Sequence, residues 1–209
     1  AWYLLTHVVP IRKSLDRRKD VLVLIISAFL STMISASIGV MSLLVSGTLQ
    51  IPMLNQTWFA WWVGDVLSIL VITPAFLVWS SPNPNRFKPK TIIKSLLFVL
   101  LFSLYAGAVF RGFFSTNIAA ASITYLLFPP LIFTALRYGQ RGGTTTVLLF
   151  TLISILSTRA GYGPFFGGRT LSENLLYLQG FMTVIAITSL ILAAPDMERE
   201  ELEKKKDEF

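Results

Sequence analysis

The sequence contains no cysteine and a single histidine, His7. Without cysteine the chain has no disulfide bonds, no thiolate metal sites and no cysteine nucleophile. The one histidine lies outside the apolar segments, so a histidine metal cluster, axial haem ligation and a Ser/His catalytic pair all lack parts. We therefore predict no catalytic residue, no metal and no cofactor in this chain.

Charged residues are also scarce. They make up 14% of the 209 residues, whereas 54% are hydrophobic, and a soluble domain has about 25% charged residues. Together with a mean hydropathy of +0.66, this composition indicates a membrane protein whose first partner is the lipid bilayer. The net charge of +7 does not indicate nucleic-acid binding, because the basic residues lie in short blocks between apolar runs.

The apolar residues form six segments. These are Val21–Val45, Trp58–Trp79, Ile92–Phe110, Ile118–Leu136, Gly142–Leu156 and Leu175–Ala194. A helix rises about 1.5 Å per residue and needs about 20 residues to cross the bilayer core. We therefore predict an all-α polytopic fold with six transmembrane helices. Residues 1–20 would be a cytoplasmic lead-in, 21–195 the transmembrane bundle and 196–209 a cytoplasmic linker helix.

The distribution of basic residues predicts the orientation. With the N-terminus in the cytoplasm, all but three of the 18 basic residues lie on the cytoplasmic side, as the positive-inside rule requires. The three exceptions are Arg111, Arg159 and Arg169. We predict a multi-pass protein of the cell (inner or plasma) membrane with both ends of this chain in the cytoplasm.

One acidic residue, Asp65, lies inside an apolar segment. Its segment begins and ends with tryptophans, which are typical of membrane boundaries. A carboxyl group within the membrane is costly and is a functional candidate by default. Asp65 would be either a structural acid bonded by an indole or a hydroxyl, or a carboxyl that senses a ligand or protons. The candidate signal- or ligand-binding residues are Asp65, Trp61, Trp62, Ser68 and Gln179. Further candidate partners of the carboxyl are Arg111, Arg159 and Arg169.

Two other features concern helix geometry. Prolines interrupt two segments, and Pro74, Pro129 and Pro130 are each either a hinge or a static kink. Small residues recur every four positions in the first segment, at Ser27, Ser31, Ser35 and Gly39. Such ladders allow close helix packing, either within the chain or across a dimer.

Three motifs, in order, resemble a known family. WWVGDVLSILVITPAFLVW, LLFPPLIFTALRYGQRGGTTTVLL and STRAGYGPFFGG followed by LSENLLYLQGF are similar to segments of the bacterial membrane-associated sensor domain of the first type (MASE family). The resemblance covers roughly residues 21–202. The earlier helices and the Trp-Pro-Pro-Thr-Gly motif of that family are missing, so the chain would be the later part of an eight-helix bundle. Ser68 also stands where a second glycine is expected.

The resemblance implies signal input to an attached cytoplasmic effector, either a two-component sensor histidine kinase or a cyclic-di-GMP cyclase or phosphodiesterase. The ending EREELEKKKDEF is similar to the lead-in of histidine-kinase dimerisation helices and implies a homodimer. A solvated helical tail is the alternative for this run. A small transporter or channel is the rival function, suggested by the lone acid and the interrupted helices. A purely structural anchor also remains open.

Overall fold

A computed structural model describes residues 12–81, 89–110, 124–166 and 170–194. These residues form five α-helices and two short 3₁₀ turns, with no strand among them. The helices are α1 (Arg18–Val45), α2 (Leu54–Ser80), α3 (Pro89–Phe110), α4 (Phe128–Arg159) and α5 (Leu171–Ala193), and the 3₁₀ turns are Ile51–Met53 and Thr124–Leu127. The predicted all-α class is confirmed.

Three stretches are long and apolar enough to cross a membrane. They are Arg18–Val45, Ile51–Ser80 and Leu171–Ala193, and α3 adds a shorter apolar stretch, Leu97–Phe110. The first, second and sixth predicted segments therefore correspond to candidate spans. Their helices begin three or four residues before the predicted starts, because their first turns are too polar to register as apolar runs.

The end of the predicted fourth segment (residues 128–136) and the whole of the fifth belong to one helix that reverses its direction, whereas residues 118–123 of the fourth lie outside the described residues. Gly139 has φ 60° and ψ −151°, which breaks α4 into two arms. The hydroxyl of Thr146 donates to that of Thr134 at 3.1 Å. Twelve residues of straight helix would separate these positions by about 18 Å. The arms therefore lie side by side as a hairpin whose tip is Gly139.

All five helices contribute buried apolar side chains to the core, and α2 and α5 contribute the most. Leu178, Met182 and Ile185 are fully buried, and α5 packs against both α2 and α4. By contrast, α1 exposes apolar side chains at every fourth position, including Ile26 and Ile34. A helix that is apolar on both its buried and its outer face is typical of a membrane span. The outer face of α1 is therefore the expected lipid contact.

The ends of the helices meet in two groups. At one end, which we call the Gln140 end, Gln140 donates to the carbonyls of Leu15 and Leu190, and Arg141 donates to the carbonyl of Ser81. At the opposite end, Phe110 of α3 contacts Phe165, which in turn contacts Phe181 of α5. The described stretch therefore enters and leaves the bundle at the same end.

Several sequence predictions fall outside the described residues. They concern His7, Arg111, Arg169, the basic loop at 82–88 and the tail Glu198–Phe209.

Candidate functional site

The tryptophans at the start of α2 face α1. Their spacing of three or four residues puts them on one side of the helix, where Asp65 follows one turn later. The indole of Trp58 donates to the hydroxyl of Ser37 at 3.0 Å, and that of Trp62 donates to the backbone carbonyl of Phe29 at 3.2 Å. The indoles therefore attach α2 to α1.

The ring of Trp61 covers Gly39 of α1. A Cβ at position 39 would lie 2.9 Å from the ring, closer than carbon atoms approach. Ser27, three steps earlier in the small-residue ladder, is buried. The ladder of α1 therefore serves packing within the chain, as the first of its two interpretations predicts.

Asp65 is half-buried in the interface of α1 and α2. Its Oδ2 accepts a hydrogen bond of 3.1 Å from the hydroxyl of Ser35, the third residue of the ladder. The indole of Trp62, a predicted partner of Asp65, donates to the carbonyl of Phe29 instead. Arg159, another predicted partner, is an exposed residue at the end of α4. Among the described residues, the carboxyl of Asp65 is thus held by a hydroxyl and by no cation, and it keeps acceptor capacity for a further donor.

Gln179 brings α5 to the same place. Its amide lies against Gly64, where a Cβ would come within 3.1 Å of Nε2. The glycine that precedes the acid therefore permits the close approach of α5. Of the predicted site residues, Asp65, Gln179, Trp61 and Trp62 lie where α1, α2 and α5 meet.

Ser68 and the prolines lie apart from this cluster. The hydroxyl of Ser68 donates to the carbonyl of Gly64 in its own helix, and the side chain is exposed. Pro74 is buried within α2. Pro129 and Pro130 occupy the first turn of α4, where a missing N–H leaves no helical bond unmade. The break in α4 lies at Gly139 instead.

Sequence reasoning missed the polar cluster at the Gln140 end. The amide Nε2 of Gln140 donates to the carbonyls of Leu15 and Leu190, at 2.8 and 3.0 Å. The guanidinium of Arg141 donates to the carbonyl of Ser81 at 2.8 Å and lies over the ring of Trp79. Both residues are part of the Arg-Tyr-Gly-Gln-Arg-Gly motif, whose glycines and side chains were the available signal.

The chemistry of these clusters is that of recognition. Within the described residues, no group of three or more His, Cys, Asp or Glu side chains is close enough to hold a metal ion. A half-buried carboxyl beside a hydroxyl and an amide can bind a donor or take up a proton. These are properties of a polar binding site between helices.

The described helices define a multi-pass, all-helical membrane protein. The profile of the MASE1 family, a membrane-associated sensor domain, matches residues 1–199, and the chain belongs to this family. It is therefore a membrane sensory input domain. No match is found among the curated proteins or the solved structures.

Proposed function

We propose that the site around Asp65 receives the signal and that α5 carries the response out of the membrane. The observation behind this proposal is the convergence of three helices on two adjacent residues of α2. Ser35 of α1 donates to Asp65, and Gln179 of α5 packs on Gly64. A ligand or proton that changes the bonding of Asp65 acts on both neighbouring helices.

The mechanism is a shift between two arrangements of the bundle. A signal that binds one arrangement more tightly than the other increases the population of that arrangement. The size of the shift is set by the ratio of the two affinities. Because α5 is the last described helix, its change of position reaches the residues after Ala194. In this proposal the six predicted segments cross the bilayer, with the first arm of α4 forming the end of the fourth and the second arm containing the fifth, and both chain ends lie in the cytoplasm.

The effector in this proposal is a two-component sensor histidine kinase. Support comes from the charged ending Glu198–Phe209, whose sequence is similar to kinase lead-in helices. This segment would form the contact of a homodimer. A cyclic-di-GMP enzyme is the alternative effector, and the sequence beyond Phe209 distinguishes them. A His-Glu-Leu-Lys-Thr-Pro-like run indicates the kinase, and a Gly-Gly-Asp-Glu-Phe-like run indicates the cyclase.

The test is Asp65→Asn in the full-length protein, with effector output measured over a range of signal and pH conditions. The amide keeps the shape but cannot take up a proton or bind a cation as a carboxylate does. We expect normal membrane insertion and an altered response.

Two serines of α1 provide a matched comparison. Ser35→Ala removes the bond to Asp65, whereas Ser42→Ala removes a bond to the carbonyl of Gly39 in its own helix. We expect altered output from the first variant alone. Wild-type output from Asp65→Asn across all conditions would contradict the proposed site. Solute flux in liposomes containing this chain alone would instead favour a transporter.

A further inference from the structure

A cavity of about 320 Å³ lies at the Gln140 end, away from the Asp65 site. Its lining is mainly apolar but includes the polar or charged residues Ser14, Asp16, Ser81, Gln140 and Arg141. The lining residues come from the segment before α1, from the end of α2, from the tip of the α4 hairpin and from Ala193 at the end of α5. Four parts of the chain therefore build one cavity, which the reversal at Gly139 brings together.

Opposite charges line this cavity. The carboxylate of Asp16 accepts a hydrogen bond of 2.6 Å from Ser14. Arg141 uses one nitrogen on the carbonyl of Ser81, which leaves most of its five N–H groups for another acceptor. In the described part of the chain, no ion pair joins Asp16 to Arg141. A carboxylate and a guanidinium thus face the same space as separate recognition groups.

Gln140 adds an acceptor without a partner. Its side chain is only 7% exposed, and its Nε2 donates to the carbonyls of Leu15 and Leu190. Its Oε1 is buried and accepts no hydrogen bond from any described residue. Buried amide oxygens are nearly always bonded, and Gln140 also lines the cavity, so an unused acceptor lies next to the two charged groups.

We propose that this cavity binds a zwitterion whose positive end is an ammonium with free N–H groups. The ammonium would donate to Asp16, and the anionic oxygens would accept from Arg141. Trp79, which lies under the guanidinium, is typical of a membrane boundary, where the headgroup of phosphatidylethanolamine has this chemistry. A free solute such as ethanolamine phosphate has it too. The inference does not depend on the signalling role proposed for Asp65.

The experiment measures lipid retention by the purified chain in nanodiscs, using native mass spectrometry. Phosphatidylethanolamine is compared with phosphatidylcholine, whose quaternary ammonium has no N–H, and with phosphatidylglycerol, which has no cation. We expect phosphatidylethanolamine to be retained about tenfold more tightly than either, since each charge-assisted hydrogen bond is worth about one factor of ten or more. A parallel titration with ethanolamine phosphate in detergent tests the free-solute source.

Two variants address the residues. Asp16→Asn keeps an acceptor for Ser14 but loses the charge, so we expect it to lower affinity about tenfold without affecting the fold. Arg141→Gln should lower affinity similarly, and Arg137→Gln, an exposed residue four positions earlier on the other arm, is its charge-matched control. Equal retention of the three lipids with no binding of ethanolamine phosphate would overturn the proposal. So would unchanged binding by Asp16→Asn. Binding of ethanolamine phosphate alone, lost in Asp16→Asn, would support the site and assign it to a free solute.

Discussion

The glycine at position 142 provides the sharpest test of the hairpin in α4. A Cβ at this position would lie 2.6 Å from the carbonyl oxygen of Thr134 and 2.5 Å from the Cβ of Tyr138. Both atoms belong to the opposite arm near its junction, where backbone and Cβ cannot rotate away. Gly142→Ala must therefore push the two arms apart by several tenths of an ångström or more, and overpacking of this kind costs about 1–3 kcal/mol.

The helix propensity of alanine acts in the opposite direction and is removed by a control. Gly180 lies within α5, and a Cβ there meets no atom within 4 Å. Both substitutions gain up to about 1 kcal/mol from propensity, so the difference between the two variants measures the overlap alone. We expect Gly142→Ala to be about 1–3 kcal/mol less stable than Gly180→Ala. Unfolding by SDS titration, followed by tryptophan fluorescence, measures this difference. Equal stability of the two variants would mean that the arms are not in contact at Gly142.

Two further predictions concern the ends and the middle of the helices. Thr170→Ala removes the hydroxyl that accepts from the backbone N–H of Glu173, which is one half of the capping box. We expect a loss of about 1 kcal/mol in the same titration, and a stability equal to that of the exposed Ser172→Ala would contradict the cap's contribution. Pro74→Ala restores an N–H for the carbonyl of Leu70 and removes the loosened point in α2, so we expect effector output held in one state; a wild-type response would argue against a hinge at Pro74.

The class of fold could be predicted because the composition and the long apolar runs can both be read directly from the sequence. Helix starts could not, since hydropathy ignores polar first turns. The start of α5 shows this, because Thr170 and Glu173 form a capping box that precedes the predicted start at Leu175. The same holds for α2, whose first residues Leu54–Thr57 are helical but precede the tryptophans.

The components of the site could be predicted more readily than their pairing. The isolated acid in an apolar segment identified Asp65, and the four-residue repeat identified Ser35 as a packing residue. The hydrogen bond from Ser35 to Asp65 depends on the relative rotation of α1 and α2. No local sequence pattern specifies this rotation. The reversal at Gly139 could not be predicted from the sequence for a related reason. A glycine before a polar residue fits many turns, and only the positive φ makes this one a hairpin.

The two polar clusters differ in how firmly they hold the helices, and this difference bears on signalling. At the Gln140 end, one buried amide bonds two backbone carbonyls, and one guanidinium bonds a third. At the other cluster, a half-buried carboxyl has one hydroxyl partner, and Gln179 contributes packing. Bonds that are few and accessible are the ones that a signal can exchange at small cost. A change at Asp65 would therefore move the middle of α5 while Gln140 holds its end, so that the helix tilts about Leu190 rather than sliding along its axis.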